Sequence, residues 1–282
     1  MDNDHSGRRR DLKGDARRNQ ILALLEQSDQ DLTVEQIAAH FNVSFATVRR
    51  DLARLRGAEG VARTYGGVTL VRPHELSTRE RRSERSAQKT AIGRVAADYV
   101  EDGDLVILDA GTTTTCVAEG LRGREDVTVV TNGIGVMTTL LEAPGVDIIA
   151  LGGHLRAINE TITGPVAEGM LRQVYAAVAF LGVDAIVPDR GVASRTPDQS
   201  TLKSLMMRRA ARVVVVADSS KLVDGDFAYW SPLEVPWELV TDAGATGEQI
   251  ATAVAAGAVQ VVLAHDDHYT VAWPPSPRDD RG

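Results

Sequence analysis

The alternation of apolar and polar positions between Ser44 and Leu55 predicts an amphipathic helix. Its apolar residues are spaced by four and three positions and so share one face: Val48, Leu52 and Leu55. Its arginines lie off that face: Arg49, Arg50 and Arg54. Ser44 is a suitable N-cap, because its hydroxyl can accept a hydrogen bond from a free backbone N–H in the first turn. A solvated charged face is the common explanation of such a helix, but the preceding residues favour a more specific one.

A shorter helix precedes it, and a tight turn separates the two. Residues 33–36 match the capping-box pattern, and residues 40–43 predict a turn with Asn42 in the left-handed conformation. Two short helices joined in this way are typical of a helix-turn-helix, whose second helix enters the major groove of double-stranded DNA. We expect base or phosphate contacts from Thr33, Ser44, Phe45, Ala46, Thr47, Arg49, Arg50 and Arg54.

The same domain extends on both sides of these helices. Residues 1–15 are polar without periodicity, so we expect them to be disordered, and a helical apolar pattern starts at Ala16. Residues 61–70 predict a two-stranded ribbon, which after a helix-turn-helix is a wing. Arg63 and Tyr65 on this ribbon are placed to contact the sugar-phosphate backbone. The sequence thus predicts a winged helix-turn-helix domain over residues 16–71.

The rest of the chain alternates apolar strands with helices, which is typical of an α/β fold with a parallel sheet covered on both faces. The predicted strands are 105–108, 127–130, 146–151, 176–182, 213–217, 238–241 and 259–263. The predicted helices include 89–100, 164–174, 201–211 and 246–256. We therefore expect a linker over 72–87, a larger α/β domain over 88–264 and a disordered tail over 265–282.

The residues at the carboxyl ends of these strands are small or carry hydroxyl groups, and small ligands bind at those ends of such sheets. Gly111 and the four threonines after it can cradle an anion, because backbone N–H groups, hydroxyls and the helix dipole converge there. Threonines that only cap a helix, and lysines that only lie on the surface, are the alternative. The expected ligand contacts are Asp109, Gly111, Thr112, Thr113, Thr114, Thr131, Asn132, Gly152, Gly153, Lys203 and Lys221.

The net charge differs in sign between the N-terminal part of the chain and the rest of it. The net charge of −8 divides into +3 for residues 1–82, with 15 basic against 12 acidic residues, and −11 for the remainder. The basic excess coincides with the predicted DNA-binding domain. Because the excess is modest, we expect affinity to come from placed contacts and from more than one copy, as a homodimer or higher homo-oligomer.

Composition argues against several other classes of protein, namely disulfide-linked, metal-binding, membrane and exported ones. The single cysteine, Cys116, allows no internal disulfide and no cysteine-rich metal site, and we expect neither a cofactor nor a metal. No apolar run is long enough to span a bilayer, and the charged N-terminus lacks an apolar signal core. We therefore expect no membrane partner and a cytoplasmic location, with association to the nucleoid when the protein is bound to DNA.

Several motifs resemble the DeoR family of bacterial transcription regulators. In the first domain they are Val43-Ser44, the run TVRRDL at 47–52 and the run RTYGGV at 63–68. In the second they are DAGTT at 109–113, Thr131-Asn132, Gly152-Gly153, FLG at 180–182 and DSSK at 218–221. The resemblance covers about residues 16–264.

This resemblance implies a sensor domain similar in fold to ribose-5-phosphate isomerase and the CoA transferases, which recognises a phosphorylated sugar or polyol. The family often carries a glutamate shortly before the lysine matched by Lys203, whereas this chain has DQSTL at 198–202. We expect a transcriptional regulator, most often a repressor of carbohydrate-metabolism genes in this family, and not an enzyme. The alternatives are a sugar-phosphate isomerase with an appended DNA-binding domain and a non-specific nucleoid binder, which would need a stronger basic bias.

Overall fold

The computed structural model describes residues 17–21, 24, 32–58, 61–63, 68–70, 75–223, 225 and 227–274, with backbone alone for 56–58, 61–63 and 68–70. The chain divides into two compact units, Met1–Glu75 and Leu76–Gly282. Within the described residues, no helix combines the length and the apolar character that crossing a bilayer requires.

The first unit contains the two predicted helices and the predicted ribbon: α1 (Val34–Phe41), α2 (Phe45–Ala58), β1 (Val61–Arg63) and β2 (Val68–Leu70). The capping box is confirmed, because the Thr33 hydroxyl accepts from the Gln36 N–H while the Gln36 side chain accepts from the Thr33 N–H. Asn42 ends α1 with a φ of 50°, and the Ser44 hydroxyl accepts from the Thr47 N–H at 3.2 Å. The strands of the ribbon pair antiparallel. Tyr65 and the Arg63 side chain lie outside the described residues.

Burial in the first unit follows the predicted helix faces. The buried apolar residues are Ile21, Ile37, Ala38, Val48, Leu52 and Leu55. Asp51 is also buried, and it accepts a hydrogen bond from Arg17 Nε at 2.7 Å, with Arg18 Nη1 3.5 Å away. This carboxylate therefore fixes the preceding helical segment against α2, while Arg49 and Arg50 remain exposed.

The second unit begins earlier than expected. Two helices occupy and follow the predicted linker over 72–87: α3 (Thr78–Ser83) and α4 (Ser86–Ala97). A capping box between Ser77 and Glu80 starts α3, and Thr78 is buried. These local hydrogen bonds explain why a charge-rich segment with few apolar positions is helical.

An eight-stranded sheet forms the centre of the second unit. Its strands are β3 (Leu105–Leu108), β4 (Val127–Thr131), β5 (Val146–Ala150), β8 (Ala176–Gly182), β11 (Ala210–Val216), β13 (Trp237–Asp242), β14 (Ala258–Ala264) and β15 (Tyr269–Trp273). Their order in the sheet is β15-β14-β13-β11-β8-β3-β4-β5. All neighbours pair parallel except β14 and β15, and two apolar clusters cover the sheet. The parallel sheet is as predicted.

The remaining elements lie around this sheet. The helices are α5 (Thr112–Gly120), α6 (Ile134–Leu140), α7 (Pro165–Leu171), α8 (Pro197–Arg208) and α9 (Gly247–Ala255). Two small antiparallel sheets were not predicted; they contain β6 (His154–Arg156) with β7 (Thr161–Thr163), and β9 (Ile186–Val187), β10 (Gly191–Ser194) and β12 (Tyr229–Ser231). Their strands have only two to four residues, which is too short for a clear alternation.

Two boundaries predicted from the sequence were wrong. The predicted disordered tail over 265–282 begins with an ordered strand, because β15 pairs with β14 at the edge of the sheet. The helix predicted over 201–211 is α8, which starts at Pro197 and ends before β11. Thr196 caps this helix, and Ala210 pairs with Ala176 of β8, so sheet pairing overrides the helical pattern at its end.

Replacing Asp51 by alanine should destabilise the first unit by about 1–2 kcal/mol, because it removes a charge-assisted hydrogen bond from a buried position. Hydrogen exchange of the α1 and α2 amides in the full chain measures this effect. Arg54→Ala is the control, since it removes an exposed side chain on the same helix and should change stability by less than about 0.5 kcal/mol. Equal amide protection in both variants would contradict the assigned role of Asp51.

Candidate functional site

A cavity of about 410 Å³ lies at the carboxyl ends of β3, β8 and β11 in the second unit. Its walls come from the loops that follow these strands, from α3 and the start of α4, and from α8 and β10. This is the edge of the sheet at which the sequence places a ligand.

The threonines after Gly111 have two different roles. The hydroxyls of Thr114 and Thr115 donate to the Gly111 carbonyl at 2.9 and 2.7 Å, which holds the first turn of α5. Thr112 and Thr113 line the cavity, and within the described residues their hydroxyls make no hydrogen bond. The helix start therefore offers two hydroxyls and the positive end of its dipole to the cavity.

Lys203 and Asp109 form a buried ion pair beneath this cavity. Lys203 is 7 % exposed and Asp109 is 3 % exposed, and the ammonium also donates to the Gly182 carbonyl at 2.5 Å. Lys203 lies on the cavity wall, whereas Asp109 lies behind it. Two residues that were both expected to contact the ligand are thus engaged with each other.

Three cations that were not among the predicted contacts line the cavity: Arg81 on α3, Arg85 in the turn after it and Lys89 on α4. The two arginines lie in the segment predicted to be a linker, and Lys89 lies in a predicted helix to which no ligand contact was assigned. Arg81 donates from Nη1 to Asp184 at 2.8 Å and from Nε to the Leu76 carbonyl at 3.1 Å. Arg85 lies 3.6 Å from Asp218, measured from Nε to Oδ1. The capping box at the start of α3 is the sequence feature that could have revealed this wall.

Lys89 is the third cation, and it is buried. Its ammonium donates to the Arg81 carbonyl at 2.5 Å. Burial lowers the pKa of Lys89, the nearby charge of Lys221 lowers it further, and Asp218 opposes both effects. A negatively charged ligand in the cavity would favour the protonated form of this lysine.

Lys221 differs from these cations, because its ammonium forms neither an ion pair nor a hydrogen bond within the described part of the chain. It ends a 3₁₀ turn, Ser219–Lys221, that Asp218 caps by accepting from the Ser220 N–H at 3.1 Å. Lys221 lines the cavity, so its charge is available to a ligand.

Six predicted ligand contacts do not line the cavity: Asp109, Thr114, Thr131, Asn132, Gly152 and Gly153. Thr131 accepts from the Gly133 N–H at 3.1 Å, and Asn132 accepts from the Ala110 N–H at 2.9 Å, so both shape neighbouring loops. Gly153 has a φ of 139°, and a Cβ there would lie 2.4 Å from the Thr163 carbonyl oxygen. This glycine permits a close backbone approach between β6 and β7. The structure brings together Gly111, Thr112, Thr113, Lys203 and Lys221.

The predicted DNA-facing residues lie on the first unit. Exposed side chains at the start of α2 and along it belong to Ser44, Phe45, Ala46, Arg49, Arg50 and Arg54. Phe45 is 53 % exposed, which is unusual for an aromatic residue and leaves it free for contact. Thr33 and Thr47 are partly exposed, and the hydroxyls of Ser44 and Thr47 lie 2.9 Å apart.

Two relatives of known name are similar to this chain over most of its length. The transcriptional repressor AccR of Agrobacterium fabrum is 33% identical over 81% of this chain and 89% of its own length. The HTH-type transcriptional repressor GlcR of Bacillus subtilis is 34% identical over 79% of this chain and 86% of its own length.

Among solved structures, ribose 5-phosphate isomerase A from Neisseria gonorrhoeae is 13% identical, with a TM-score of 0.39 over 67% of this chain and 96% of that one. This likeness carries no argument about function. Two family models match the chain itself: the DeoR-like helix-turn-helix domain over residues 17–74 and the DeoR C terminal sensor domain over residues 84–263. The chain therefore belongs to the DeoR family of transcriptional regulators.

Proposed function

We propose that this chain is a DNA-binding repressor of carbohydrate-metabolism genes whose operator binding responds to a phosphorylated sugar or polyol. One observation carries the effector half of this proposal. The cavity combines an uncapped helix start, two hydroxyls without partners and a lysine without an ion pair within the described residues. The names of the relatives support the repressor half.

The charges around the cavity favour an anionic ligand. Five basic residues line the cavity: Arg81, Arg85, Lys89, Lys203 and Lys221. The acidic residues of the wall are Glu84, Asp184 and Asp218, and two of these already face arginines. A phosphate group can therefore accept from the backbone at the start of α5, from its threonines and from Lys221 without meeting a free carboxylate at that end.

The position of the acids also supports a binding role over catalysis. An isomerase needs a carboxylate free to remove a proton from the sugar carbon. Asp109 is held by Lys203, Asp184 by Arg81, and Asp218 lies beside Arg85. Glu84 is exposed to solvent, and Gln199 lines the cavity in the segment where the family often has glutamate. We therefore propose that the chain binds its sugar phosphate without converting it.

The effector would act by shifting the equilibrium between two arrangements of the sensor domain. A ligand that binds one arrangement of the sensor more tightly favours that arrangement, and with it one presentation of the DNA-binding domains. We propose that a homodimer or higher homo-oligomer binds two operator half-sites separated by about one helical turn of DNA, or a multiple of it. Sedimentation of the full chain tests the assembly, and a monomer at every concentration would contradict it.

Replacing Lys221 by methionine should weaken binding of inorganic phosphate roughly tenfold or more, because it removes a charge-assisted hydrogen bond. The affinity is measured by calorimetric titration of the full chain. Arg122→Ala is the control, since Arg122 forms an exposed ion pair with Glu142 away from the cavity. Unchanged phosphate affinity of the Lys221 variant, or equal losses in both variants, would move the phosphate site elsewhere.

Replacing Arg49 or Arg50 by alanine should weaken operator binding by about 1–3 kcal/mol each, through loss of a base or phosphate contact. The probe is a DNA duplex that the unmodified chain selects from a random pool, and gel shifts measure the affinity at fixed salt. Arg122→Ala removes an exposed arginine from the other unit and should leave this affinity unchanged. DNA binding that survives both substitutions in α2 would contradict its role as the recognition helix.

A further inference from the structure

Two buried polar atoms on the cavity wall have no hydrogen-bond partner within the described part of the chain. They are the hydroxyl oxygen of Ser194 and the side-chain oxygen Oδ1 of Asn159. Ser194 ends β10 and is 1 % exposed, and Asn159 ends a 3₁₀ turn between β6 and β7. Neither belongs to the group of residues that we propose for the phosphate, which is Thr112, Thr113 and Lys221.

Buried polar atoms are almost always paired, because an unpaired one loses its hydration without compensation. Among the described residues, the side chains of Arg94, Arg195 and Thr241 also contain such atoms, and none of these three lines the cavity. Ser194 and Asn159 are thus the two residues of this set whose missing hydrogen-bond partner a ligand in this cavity can supply.

The chemistry of the two atoms limits what that partner is. A carbonyl oxygen accepts only, so Asn159 Oδ1 needs a donor, whereas a serine hydroxyl both donates and accepts. The oxygens of an ionised phosphate only accept. A hydroxyl group satisfies both positions, and the wall around Ser194 also contains Asp184 and Gln199, which can accept from further hydroxyls.

We propose that Ser194 and Asn159 bind hydroxyl groups of the effector and determine which phosphorylated sugar or polyol the chain accepts. This inference rests on the proposed function, because it assumes that the phosphate occupies the start of α5. Sites built to pair a hydroxyl discriminate strongly against ligands that lack it, since the buried groups of the protein are then left unpaired.

The test compares Ser194→Ala and Asn159→Ala with the unmodified full chain by calorimetry. The probes are inorganic phosphate, glycerol 3-phosphate, erythrose 4-phosphate, ribose 5-phosphate, 2-deoxyribose 5-phosphate and fructose 6-phosphate. Each variant should lose roughly tenfold or more in affinity for the best sugar phosphate, while its affinity for inorganic phosphate stays the same.

Thr241→Val is the matched control. It also removes a buried hydroxyl without a partner in the described residues, but from β13 and away from the cavity wall. Its affinities for all probes should equal those of the unmodified chain. Ser194→Ala should also leave the melting temperature of the ligand-free protein unchanged or raise it, because no internal hydrogen bond is lost; a clear decrease would indicate a structural role and overturn the inference.

The possible failures are distinguishable. If the unmodified chain binds neither inorganic phosphate nor any sugar phosphate, the proposed function fails and this inference with it. If it binds phosphate but no sugar phosphate more tightly, or if both variants bind the best sugar phosphate as tightly as the unmodified chain, the inference alone is overturned.

Discussion

The ion pair between Lys203 and Asp109 holds together the end of the sheet at which the cavity lies. Lys203 comes from α8, Asp109 follows β3, and the Gly182 carbonyl that the same ammonium contacts ends β8. Burying two charges costs free energy unless they are paired and further hydrogen-bonded, and this arrangement meets both conditions. The Asp109 carboxylate also accepts from the Ala110 N–H at 2.8 Å, so the pair extends into the loop that leads to α5.

The cavity beside this pair is lined by two kinds of polar group, charged side chains and buried uncharged ones. The start of α5 and Lys221 contribute positive charge, whereas β10 and the turn at Asn159 contribute the buried uncharged polar atoms of Ser194 and Asn159. The charge of Arg81 is partly neutralised by Asp184, and that of Arg85 by Asp218. Lys221 therefore contributes positive charge that no acidic side chain in the described residues offsets.

Local patterns predicted much of this structure. The capping box of α1, the left-handed Asn42 and the apolar face of α2 depend on residues close in sequence, and so do the apolar strands of the parallel sheet. The Lys203–Asp109 pair joins residues 94 positions apart, which no spacing rule reveals. The cations of α3 and α4 were missed because exposed charge runs and cavity-lining ones look alike in sequence. Gly152 and Gly153 follow a strand as ligand loops do, but Gly152 packs against the Val166 side chain and Gly153 against the Thr163 backbone.

Arg81 connects the cavity to the point where the second unit begins. Its guanidinium reaches Asp184 on the wall with one nitrogen and the Leu76 carbonyl with another. A guanidinium is planar and carries five N–H groups, so Arg81 has further donors for a third group while both contacts hold. An anion that binds Arg81 would therefore lie two hydrogen-bonded steps from Leu76, the first residue of the second unit. The same side chain that lines the cavity thus holds the backbone directly after the boundary between the two units.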